Sequence, residues 1–152
     1  MSRLLIAALA AAALAGSAAA EAPAGGLTIK DAVVRATPAG VPNTAAYLTI
    51  VNGGAKADKL LSAACDCARS VEIHISHVMN GMAMMMPSGP VDIPGGGQAS
   101  FAPGGRHLMI MGLKAPLKAG AVQEVTLRFQ VAGIVKTAFQ VQDRIASTPA
   151  AH

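Results

Sequence analysis

From Leu27 onward the chain alternates apolar and polar residues over short runs, the period of a half-buried β-strand and not of a helix. The runs fall at residues 27–34, 45–52, 59–64, 69–78, 81–86, 98–101, 107–113, 123–131 and 135–141. Turn residues bound each of them: Pro38-Ala39-Gly40, Asn52-Gly53-Gly54, Asn80-Gly81, Pro87-Ser88-Gly89-Pro90, Pro94-Gly95-Gly96-Gly97 and Pro103-Gly104-Gly105. No stretch of helical length carries a 3.6-residue period. Nine short strands at this spacing predict an all-β domain, a Greek-key sandwich or small barrel. Its core is built on Val, Ile, Leu and Ala, with a single tyrosine, Tyr47, and three phenylalanines.

The first twenty residues follow another pattern. Arg3 precedes an apolar run at 4–14, and Ala18-Ala19-Ala20 offers a small-residue cleavage site before Glu21, the layout of a secretory signal. The apolar run is short for a bilayer span. Export is therefore expected, with no membrane anchor after cleavage. A lipoprotein is not expected, because the only cysteines, Cys65 and Cys67, lie inside the domain. The chain divides into a signal at 1–20, one domain at 21–144 and a tail at 145–152, rich in Ala, Ser, Thr and Pro, that should fray.

Charge and motif content narrow the function. Twelve Lys and Arg face eight Asp and Glu, and cleavage would remove Arg3 and leave a net charge of +3. No basic cluster or aromatic interleaving accompanies that excess, so nucleic acid is not the expected partner. No zinc-protease helix motif, nucleophile elbow or P-loop is present, and no carboxylate pair is evident, so catalysis is not expected.

The chemistry concentrates in one stretch. Seven of eight methionines and three of four histidines lie between His74 and Met111. In RHLMIMGL, His107, Met109 and Met111 occupy every second position and so share one strand face. In RSVEIHISHVM, Val71, Ile73 and Ile75 alternate with Glu72, His74 and Ser76; burying the β-branched set turns His74 outward. A two-residue Asn80-Gly81 turn then reverses the chain into GMAMMM, making His74 and the methionines neighbours in one hairpin. Methionine often merely fills core gaps. Histidines on two strands, both accompanied by methionine and both facing away from the aliphatic side, point instead to a metal. Imidazole with thioether and no carboxylate is the donor set that selects Cu(I).

The stretch from Val71 to Lys114 resembles the periplasmic copper chaperones of the PCuAC family, whose motif spaces His, ten residues, Met, twenty-one residues, His, one residue, Met. Here His74, Met85, His107 and Met109 stand at those intervals. The resemblance implies a cupredoxin-like sandwich carrying an exposed Cu(I) site made of those four residues. It also implies a carrier that takes copper toward the CuA or related centre of a terminal cytochrome oxidase, alongside a Sco-type thiol protein. Thioethers suit an exported carrier: they form no disulfides and need no deprotonation, so only the imidazoles compete with protons for the metal.

Several residues stay outside that assignment. Alternation sends Met82, Met84 and Met86 to the face opposite Met85, and period alone does not choose between the sets; the family spacing chooses Met85. Met111 is a spare thioether or packing, with packing favoured. His77 reads as a solvated loop histidine, and Met79 and Met82 as a docking rim around the copper. Cys65 and Cys67 are a tight disulfide, a second Cu(I) site or a redox-active thiol pair, with the disulfide ranked first. A blue-copper electron carrier would need a histidine before the cysteine thiolate, and none precedes Cys65. The remaining alternative is a secreted, metal-free β-sandwich interaction domain.

Overall fold

The computed structural model describes residues 24–145. The signal segment 1–20 and all but the first residue of the tail lie outside the described residues. After a 3₁₀ turn at Ala24–Gly26, ten strands follow: β1 Leu27–Arg35, β2 Asn43–Asn52, β3 Asp58–Ala64, β4 Ala68–Met79, β5 Met82–Pro87, β6 Val91–Ile93, β7 Gln98–Phe101, β8 Arg106–Leu113, β9 Val122–Phe129 and β10 Ile134–Gln142. Nine coincide with the predicted runs to within two residues at each end. The tenth, β6, spans three residues between Pro90 and Pro94, too short to display a period.

Seven strands close on themselves in the order β4-β8-β2-β1-β10-β9-β3, and a single register pair, Ala63↔Val71, joins β3 back to β4. The domain is thus a small barrel with extra strands. All its pairings are antiparallel except β1 with β10. Alternation explains the closure: Leu48, Ile50, Leu60, Leu108, Ile110, Val125, Leu127 and Phe139 are fully buried, and each contributes about 1.5–3 kcal/mol by leaving water. Closure also leaves few unpaired strand edges.

Two features depart from a plain barrel. The first is Asp58, at the start of β3, which accepts hydrogen bonds from the backbone N–H groups of Lys59 (2.7 Å), Val131 (2.8 Å) and Ala132 (3.0 Å), clasping the β9–β10 turn. Burial alone would raise its carboxyl, but backbone N–H groups of Val131, Lys59, Ala132 and Gln130 outweigh burial and hold it below the ordinary carboxylate range. The second is β4, which pairs with β8 over Ala68 to Ile75 and with β5 over His74 to Met79. Its second half therefore leaves the barrel wall as a two-stranded ribbon, with β5 as the sheet edge. His74 sits at the junction.

Candidate metal centre

His74 and His107 are direct partners across β4 and β8. Their rings lie 5.9 Å apart between centroids, tilted by 53°. A hydrogen bond fixes each ring. His107 Nδ1 donates to the Gly105 carbonyl at 3.2 Å, an acceptor that the Pro103-Gly104-Gly105 turn places two residues upstream. His74 Nε2 donates to the Glu72 carboxylate at 2.9 Å, because Glu72 and His74 share a face of β4. Each bond assigns the proton to one nitrogen and leaves a lone pair on the other. Those other atoms, His74 Nδ1 and His107 Nε2, are buried and have no hydrogen-bond partner among the described residues. A buried polar atom without a partner is costly unless something else fills its lone pair. Two such nitrogens on rings 5.9 Å apart are donors that fit a cation.

The thioethers follow from register. In the hairpin Asn80 and Gly81 both adopt positive φ, 52° and 76°, the two-residue turn that joins strands without splaying them. Met79 then faces Met82, and counting back places Ser76 opposite Met85. Ser76 is two residues from His74, so Met85 lies on the histidine face. On β8, Met109 is opposite Glu72 and shares that same face. The structure therefore brings His74, Met85, His107 and Met109 to one side of the β5-β4-β8 sheet. Met84 faces His77 and Met86 faces Ile75 on the other side.

A groove of about 360 Å³ is lined by Met85, His107, Met109, Ser76, Tyr47 and Ala45, among others. Ala45 is paired with Met109, and its small side chain leaves room for the thioether. The Tyr47 ring lies 6.4 Å from that of His107. Burial raises the Tyr47 hydroxyl above its ordinary value of 10.0, with Arg35 pulling the other way, so the phenol stays neutral beside the site. The site is exposed on one side only: His107 is 3% exposed and Met85 63%.

Residues 27–141 match the model of the LpqE-like family, described as "Putative lipoprotein LpqE-like". The chain belongs to that family. It is 36% identical over 119 residues to "Putative lipoprotein Lxx21020" of Leifsonia xyli subsp. xyli, covering 78% of this chain and 70% of the relative. Among solved structures it is similar to the copper-bound PCuAC domain from PmoF2, with a TM-score of 0.67, 25% identity and coverage of 79% of this chain and 95% of that one. It is also similar to the solution structure of CuI-DR1885 from Deinococcus radiodurans, with a TM-score of 0.58, 31% identity and coverage of 77% and 78%. The PCuAC resemblance and the cupredoxin-like all-β fold read from the sequence are both borne out.

The LpqE-like fold places the other candidates apart from the histidine pair. Met111 shares the Met109 face but pairs with Ser70, four residues from His107 and about 13 Å along the strand. Cys65 and Cys67 are joined in a disulfide, with Cα atoms 5.1 Å apart. They lie at the far end of the β4–β8 ladder, where Lys114 N–H donates to the Cys67 carbonyl. Neither thiol is free for a blue-copper centre or a reductant. His77 is a strand residue, exposed, and not the loop histidine expected. Met79 and Met82 face away from the histidine pair and do not rim it. Sequence reasoning passed over Glu72 and Tyr47. The signal for Glu72 was its place two residues before His74; Tyr47 arrives by long-range β2–β8 pairing and had no local signal.

Proposed function

We propose that this chain is an exported Cu(I) carrier that holds one tightly bound ion between His74 Nδ1, His107 Nε2 and the thioethers of Met85 and Met109. The pair of buried, partnerless ring nitrogens beside two sulfurs on the same sheet face carries this reading. The likeness to a copper-bound PCuAC domain and to CuI-DR1885 supports it. Two neutral imidazoles and two thioethers match the softness of Cu(I) and add no charge. The hydrogen bonds to Glu72 and Gly105 hold both rings and leave one nitrogen of each without a proton, so little reorganisation accompanies capture. Met85, exposed on an edge strand, is the ligand a partner can reach first.

The cargo would go to the CuA or related centre of a terminal cytochrome oxidase in the periplasm, with a Sco-type thiol protein reducing or relaying at the acceptor. Cys65 and Cys67 are bonded to each other, so neither carries a lipid, and a signal at 1–20 would export the protein. Mixing the Cu(I)-loaded protein with a reduced apo CuA domain, with and without a Sco-type protein, tests the delivery role. The visible bands of the CuA centre should develop as copper leaves the carrier. Unchanged acceptor spectra in both mixtures, with copper still on the carrier, would overturn the proposed destination.

A further inference from the structure

The register that puts Met85 on the histidine face puts the other soft donors of the hairpin on the reverse face. There His77 is opposite Met84, and Met79 is opposite Met82. These four side chains form a two-by-two block in which direct partners have Cβ atoms about 4.5–5.5 Å apart and strand neighbours lie about 7 Å apart. Met86, opposite Ile75, extends the block by one more thioether.

Packing does not account for them. Met79, Met82, Met84 and Met86 are 55%, 65%, 41% and 41% exposed, so they fill no core gap. Among the described residues, no carboxylate stands on this face of the ribbon. The nearest cation, Arg106 opposite Ile75, is held over the Phe101 ring at 5.9 Å. An apolar edge strand facing water would ordinarily be a liability that charged residues blunt, yet this face of β5 presents only Met82, Met84 and Met86, beside His77 and Met79 of β4.

We propose that this reverse face, through His77, Met79, Met82 and Met84, is a second and weaker Cu(I) site. One imidazole with two or three thioethers satisfies the same soft ion as the histidine pair does, with no change of oxidation state. It is weaker because its donors are not held in place: His77 has no ring hydrogen bond among the described residues, and three flexible side chains must be immobilised when the ion binds. An ion there lies on the opposite face of the ribbon, three to five residues along β4 from His74, about 10–17 Å, and is open to solvent. The inference rests on the proposed function only in its choice of metal.

Anaerobic Cu(I) titration of the purified chain against a graded series of chelators tests it, using the wild type and two variants. Met82→Leu/Met84→Leu alters only exposed positions on the reverse face, and leucine keeps volume and apolarity. Met85→Leu/Met109→Leu removes the thioethers of the histidine site. The wild type should take up two equivalents, the second roughly tenfold or more weaker than the first. The reverse-face variant should keep the first equivalent and lose the second; the Met85/Met109 variant should weaken the first and keep the second. A wild type that saturates at one equivalent, with an identical curve for the reverse-face variant, would overturn the second site and leave the carrier reading standing. Absence of any uptake by the wild type would overturn both.

Discussion

The histidine pair and the methionine hairpin use neighbouring strands but opposite physical regimes. His74 and His107 sit on the barrel wall, where both rings are packed, tilted and tied by hydrogen bonds to Glu72 and Gly105. Every residue of β5 is exposed, and its strand is held by β4 alone within the sheet. The wall fixes two lone pairs before any ion arrives. The ribbon supplies thioethers that swing at little cost. A carrier needs both behaviours, since a fully preorganised cage would release slowly and a fully mobile one would bind weakly.

Changes on the wall should cost most. His107→Ala removes a ligand from the fixed half and should weaken Cu(I) binding by about 100-fold or more, since loss of even an outer-shell partner typically costs 10–100-fold. Chelator competition reports it, with far-UV circular dichroism to confirm folding. Glu72 touches no metal in this arrangement; it positions the His74 ring. Glu72→Ala should weaken binding by roughly tenfold, whereas Glu72→Gln, which keeps an acceptor oxygen, should recover part of that loss. A purely structural role for Glu72 would move thermal stability and leave the affinity alone.

On the ribbon the effects should be smaller and face-specific. Met85→Leu should weaken the tight site by several-fold to about tenfold, and Met84→Leu and Met86→Leu by less than about twofold, because only Met85 faces the histidines. Equal losses at all three positions would erase the distinction between the two faces.

The barrel end furnishes the case with no copper effect. Asp58→Ala strands three backbone donors and should cost about 2–3 kcal/mol of stability in denaturant unfolding, with Cu(I) affinity unchanged. The sign of its pH dependence comes from a carboxyl held below its ordinary range. That stability is fully present above the unfolded value of about 3.9 and is lost as pH falls through the lower folded value. Acid unfolding should therefore be steeper in the wild type than in Asp58→Asn.

Much of this layout was legible in the residues. Period-2 alternation and strong turn chemistry placed nine strands closely, because the barrel interior demands apolar residues at every second position. β6 escaped because three residues flanked by prolines show no period. The choice between barrel and sandwich rests on Ala63↔Val71, one pairing without a sequence signature. Met85 was more legible than alternation alone suggested. A two-residue Asn80-Gly81 turn forces Met79 opposite Met82, which already sends Met85 to the His74 face and Met84 with His77 to the other. The burial of His107 was not legible, since its cover comes from Tyr47 on β2 and from the turn before β8.

The central claim is that the two partnerless ring nitrogens and two same-face sulfurs hold the tightly bound ion. X-ray absorption on the protein loaded with less than one equivalent of Cu(I) tests it most directly. The expected result is a Cu(I) edge and a shell of two nitrogen and two sulfur scatterers, with the sulfur count falling in Met85→Leu and holding in Met84→Leu. A shell without sulfur, or a sulfur count indifferent to Met85, would contradict it.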